Sequence, residues 1–176
     1  MTLMQNTLQL QLLNVFNDLR EGRRKVAYPQ TPPHPSIPNE VCAALTEAYD
    51  NWVVSSVPMA GALTVVSPGL KSALQSLLAM PLLAGFGPGF AAYWSPVIFA
   101  GPGFIPTNPV VPISVSASAA GLSADILKMI NSRDSPMTLE EVSLVLSKTL
   151  YSWTTKLQVL ATTTSAPPVA SVLPVS

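Results

Sequence analysis

The chain is 176 residues long, about one domain, and its nine basic and nine acidic residues leave a formal net charge of zero. Only 10% of it is charged, against about a quarter in a usual domain, and 48% is hydrophobic, which excludes a disordered polyelectrolyte. The single cysteine, Cys42, excludes an intrachain disulfide framework.

So little charge protects a free monomer poorly against self-association, which points to a subunit that completes itself against neighbours. Residues 51–124 carry one charge, Lys71, and read as protein-buried surface.

In chain order, residues 2–22 predict a first helix. Leu8, Leu12, Val15, Phe16 and Leu19 fall at three-and-four spacing, and Gly22 suits a C-cap. The basic cluster Arg20, Arg23, Arg24 and Lys25 fits the negative end of the helix dipole, or else a few contacts with nucleic acid or an acidic partner. Pro29, Pro32, Pro33 and Pro35 then impose an extended linker. A second helix is expected over residues 38–54, with Val41, Ala44, Leu45, Ala48, Tyr49 and Trp52 inward. Residues 59–66 suit a strand or an extended crossing. Ser67-Pro68 reads as the N-cap of a third helix running to Met80, with Leu70, Leu74, Leu77 and Leu78 inward.

A short helix carrying Phe90, Tyr93 and Trp94 is expected over residues 88–95, ended by Pro96. The tetrapeptide GPGF occurs at 87–90 and again at 101–104 and reads as a repeated turn signature. Residues 105–116 suit extended chain, and 121–132 a helix. Thr138-Leu-Glu-Glu141 is a capping box opening a helix to Trp153, with Leu139, Val142, Leu146, Leu150 and Trp153 on one face. Residues 155–164 read as one strand, which pairs either with 62–66 or with another subunit. The Pro-rich end SAPPVASVLPVS shows no partner in its own chain.

The expected fold is mainly α: about four main helices around one core, one or two short strands, and long Pro/Gly-rich ordered loops. Its parts are an N-terminal helix arm (1–26), a Pro-rich linker (27–37), a helical core (38–153) and a C-terminal strand and tail (154–176). The core carries a Pro/Gly-rich insertion at about 81–118.

The start of the chain lacks a basic n-region, so it does not read as a secretory signal, and a reducing cytoplasm is the expected place of synthesis. Prolines interrupt the uncharged centre every few residues, and irregular backbone cannot face lipid, which argues against a membrane span.

Chemistry is sparse. His34 is the only histidine and lies between prolines, so neither a catalytic triad nor a zinc site closes within the chain. Cys42 reads as a small buried hydrophobe. Glu47 and Asp50 read as the wet face of helix two, and Glu140 and Glu141 as a helix's first turn. GFGPGF lacks the context of a phosphate loop. No enzyme, cofactor or metal is expected. Phe90, Tyr93, Trp94, Phe99 and Phe104 suit an interface centre or a core, with a membrane-docking loop or a ligand pocket as other readings. Leu157 and Val159 join them as candidate interface residues on the terminal strand.

Three stretches resemble small tailed-bacteriophage virion proteins of the head–tail connector, neck or tail-completion kind. They are AALTEAYDNWVVSSVPMAGALTVVSPGLKSAL behind its leading helix, FAAYWSPVIF, and LEEVSLVLSKTLYSW running into TTKLQVLATTT and the Pro-rich end. The resemblance is one of pattern over most of the chain, with no fixed motif, so it transfers no functional residue. It implies a non-enzymatic virion protein, made in the host cytoplasm, homo-oligomeric (a ring) and touching other virion proteins, with non-specific contact to packaged DNA. A membrane-docking protein using the aromatic loops is the alternative.

Overall fold

A computed structural model describes residues 5–21, 39–56, 63–67, 69–80, 85–110 and 138–175. The expected proline linker, the 121–132 helix, His34 and three of the four basic-cluster residues lie outside these. Among the described residues the order is α1 (Gln5–Arg20), α2 (Asn39–Ser56), β1 (Thr64–Ser67), α3 (Lys71–Leu78), α4 (Phe86–Trp94), β2 (Ile98–Ala100), β3 (Pro109–Val110), α5 (Leu139–Thr154), β4 (Gln158–Thr162) and β5 (Ala170–Pro174). The chain is mainly helical, with short strands in two small sheets.

Helix α1 packs against both α2 and α5. Its stripe Leu8, Leu12, Val15 and Phe16 is buried, as the spacing requires. Removing Leu8 and Leu12 from water stabilises the fold by about 1.5–3 kcal/mol each. On α2, Ala44, Leu45, Ala48, Tyr49 and Trp52 are buried, and Val41 is half-buried. Helix α5 opens with the expected capping box: Glu141 N donates to Thr138 Oγ1 at 3.2 Å, and Thr138 N donates to Glu141 Oε2 at 2.9 Å. Its most buried face runs through Ser143, Ser147, Leu150 and Thr154, one step round from the apolar stripe. The two serines return their hydroxyls to Leu139 O and Leu144 O, so small polar side chains pack with their donors satisfied.

Two helix starts differ from expectation. Ser67 does not cap α3; it ends β1 opposite Ile98, and the helix begins at Lys71 without a side-chain cap. Leu70 is therefore exposed, while Leu74 and Leu78 carry the packing. Helix α4 begins at Phe86, so the first GPGF is helical and not a turn. Pro88 sits in the first helical turn, where its missing N–H has no intrahelical acceptor to lose. A Cβ on Gly85 would lie 1.9 Å from Leu77 O, so the chain enters α4 against the end of α3 where only glycine fits. The second GPGF is a turn: Phe104 N donates to Gly101 O at 3.1 Å, and Gly103 has φ +79°. Proline followed by a positive-φ glycine is the type II pattern.

The strands form antiparallel sheets β1-β2 and β3-β4-β5. An exchange of hydrogen bonds between Phe99 and Thr107, at 2.8 and 3.0 Å, joins them. The terminal segment therefore corrects both expected pairings. Strand β1 pairs with β2, and β4 lies between β3 and β5, which belongs to the Pro-rich end. Residues 164–168 turn the chain back, aided by Thr163. Its hydroxyl accepts from Val169 N at 2.9 Å and meets Ser165 Oγ at 2.7 Å.

Candidate assembly surface

The core is centred on Tyr49. Its ring meets Phe90, Tyr93 and Trp94 edge-on at 4.6, 5.2 and 6.5 Å, and Trp52 at 5.6 Å. Trp94 Nε1 donates to the Tyr49 hydroxyl at 2.8 Å, which is 2.7 Å from Thr154 Oγ1. One hydroxyl thus ties α2, α4 and α5. Beside it, the Tyr93 hydroxyl donates to Asp50 Oδ1 at 2.7 Å, and Lys71 Nζ lies 3.1 Å from Asp50 Oδ2. Burial raises the Tyr49 and Tyr93 hydroxyls well above the ordinary tyrosine value, and the Asp50 carboxylate raises Tyr93 further.

This cluster revises the reading of α2. Glu47 is exposed, but Asp50 is buried and held by Tyr93 and Lys71. Spacing alone put both on the wet face. The partners that draw Asp50 inward lie 21 and 43 residues away.

The candidate interface residues are likewise relocated. Phe90, Tyr93, Trp94, Phe99, Leu157 and Val159 have no exposed surface, because their own chain covers them. Phe104 is half-buried beside its bridge to Thr163. A neighbour would have to open the core to reach the other six. Of the basic cluster, Arg20 is described, exposed at the end of α1. Cys42 is buried, and burial pushes its thiol up to about 11. Among the described residues no three of His, Cys, Asp or Glu come together as a metal site needs. None of the described helices is long and apolar enough to cross a membrane.

What the chain does present is the C-terminal sheet. Val159 and Ala161 point into the core, so Leu160 points outward, opposite Val172 on β5. Leu160, Val172, Val169 and Ile105 are all exposed. No charged residue occurs from Leu157 to Ser176.

Among the described residues, strand β5 is also a sheet edge. Thr163 N donates to Val169 O at 2.9 Å and Val175 N to Leu157 O at 3.0 Å. Hydrogen-bonded pairs recur at every second residue of an antiparallel ladder, so residues 171 and 173 turn their backbone groups toward β4. Ala170, Val172 and Pro174 turn theirs to the open side. Sequence reasoning missed this edge. The signal available for it was the run of Val and Leu between Pro168 and Pro174.

No protein-family model, curated protein or solved structure matches this chain.

Proposed function

We propose that the chain is a non-enzymatic structural subunit that assembles with copies of itself through the outer face and edge of its C-terminal sheet. The single observation that carries this is an uncharged edge strand flanked by the exposed apolar side chains of Leu160, Val169 and Val172. Folded proteins guard such edges with lysine, proline or cover. Here Pro174 is the one guard on the strand, at its end. The setting in the neck, connector or tail-completion region of a tailed-phage virion rests on the pattern resemblance. Within that setting Arg20, exposed at the end of α1, is a candidate contact for packaged DNA or an acidic partner.

The membrane-docking alternative loses most of its motive, because Phe90, Tyr93, Trp94 and Phe99 lie in the core and Phe104 is half-buried. Sedimentation of the purified full chain over a range of concentrations tests the proposal. Discrete oligomers are expected, with rings or regular particles by electron microscopy. A monodisperse monomer at high concentration would overturn it.

A further inference from the structure

Resting on that reading, we infer that the partner of β5 is β5 of a second copy, paired antiparallel about a two-fold axis through Val172. The strand runs Ala170–Pro174, so Val172 is its middle residue. Full overlap of two antiparallel copies therefore places Val172 opposite Val172, and Ala170 opposite Pro174.

The ladder phase suits this register. Val172 turns its amide and carbonyl to the open side, so the central pair exchanges two hydrogen bonds. Each Ala170 amide then meets a Pro174 carbonyl. Proline has no N–H to return, so the second possible bond at each end is not made, and the register ends there. Shifting the axis by one residue to Ser171 leaves Pro174 facing Pro168, with the strands only partly overlapped.

Side chains agree with the backbone. Leu160 lies directly across from Val172 within one copy. The two-fold extends this into a row, Leu160–Val172–Val172–Leu160, along the outer face of one continuous sheet. Such β-branched cross-strand pairs are favourable, and like charges placed opposite one another oppose pairing. With no charged residue from Leu157 to Ser176, nothing in this strand or β4 repels a second copy. The symmetry is that of an isologous contact, so β5 builds pairs, and any larger body uses another surface as well.

Cysteine cross-linking reads the register directly. Paired Val172 Cα atoms would be about 5.5 Å apart, within the reach of a disulfide, whereas the two Ser171 Cα atoms would be about 8 Å apart, beyond it. The full-length Val172→Cys and Ser171→Cys chains are oxidised at micromolar concentration and run on non-reducing gels, with the parent chain as the control for buried Cys42. Covalent dimer from Val172→Cys alone is expected. Val172→Lys, which leaves the β4 ladder untouched, should weaken dimerisation at least tenfold at low salt, and Val172→Thr should not; circular dichroism checks that both fold. Cross-linking at Ser171 instead would overturn the register. No cross-link at either position in a chain that still sediments as an oligomer would overturn β5 pairing alone, leaving the assembly reading in place. A monomeric chain would overturn both.

Discussion

The two GPGF segments share four residues and have different structures. At 87–90 the tetrapeptide is the start of α4, wedged against α3, and at 101–104 it is a tight turn between strands. Their glycines serve different needs. Gly85, two residues before the first copy, has an ordinary helical φ of −87°, but a Cβ there would run into Leu77 O. Gly103, in the second copy, has nothing within 4 Å of an added Cβ, but its φ is +79°. One position needs space, the other needs the sign of a dihedral. What decides between helix and turn is the neighbour: Phe90, Tyr93 and Trp94 follow the first copy into the aromatic core, and β-sheet hydrogen bonds flank the second.

Alanine at Gly85 should give the largest loss, about 3 kcal/mol, since the obstructing atom is backbone and cannot rotate away. Urea unfolding measures it, and asparagine should be no better tolerated. Next comes Tyr93→Phe, which removes the hydroxyl held by Asp50 and should cost about 2 kcal/mol.

The same residue sets an alkaline limit. Folded Tyr93 and Tyr49 stay protonated above the ordinary tyrosine value, while the unfolded chain ionises near about 10, so the folded state binds more protons there. The contribution of these two tyrosines is full below about pH 10 and falls above it by about 1.4 kcal/mol per unit for each. The buried Cys42 thiol, pushed up to about 11, adds a loss that begins lower, above about pH 8.5. Melting temperatures across pH 9–11.5 should show the combined slope, and Tyr93→Phe should remove one of the two tyrosine contributions.

A smaller effect is expected at the turn. Gly103→Ala should cost about 1–2 kcal/mol, and Gly103→Asn should recover most of it because asparagine tolerates positive φ. The finest comparison is Pro102→Ala against Pro88→Ala. Each frees the unfolded chain by about 0.4–1 kcal/mol, but alanine at 88 recovers part of that through helix propensity. Chemical denaturation should therefore rank Pro102→Ala as the more destabilising.

These contrasts explain how far the sequence was legible. Helices α1, α2 and α5 follow from spacing and the Thr138–Glu141 box. Helices α1 and α2 bury the stripe that their own local residues define, whereas α5 also buries Ser143 and Ser147, one step round from its apolar stripe. The first GPGF was misread because its conformation depends on Leu77, far enough along the chain to be invisible to local pattern. Asp50 was misread for the same reason: Tyr93 and Lys71 make its burial tolerable. Strand β5 was hidden by Pro167, Pro168 and Pro174, which mark the turn and the end of a strand as readily as they mark a loose tail. Of the aromatic residues that read as an interface centre or a core, Phe90, Tyr93, Trp94 and Phe99 lie in the core, and on the C-terminal sheet the outward positions fall to Leu160 and Val172.

The contact between Gly69 and Tyr93 has a bearing on how the molecule opens. The Tyr93 ring occupies the space where a Cβ on residue 69 would stand, Leu70 N donates to Tyr93 O, and Lys71 reaches Asp50. Helix α3 has eight residues and no side-chain cap, too few to persist alone in water. Its amides should accordingly exchange with deuterium in the same cooperative step as those of α4, with no slower or faster class of their own. On that expectation the short helix is a dependant of the longer-range clasp around Tyr93, and the two should open as one kinetic unit.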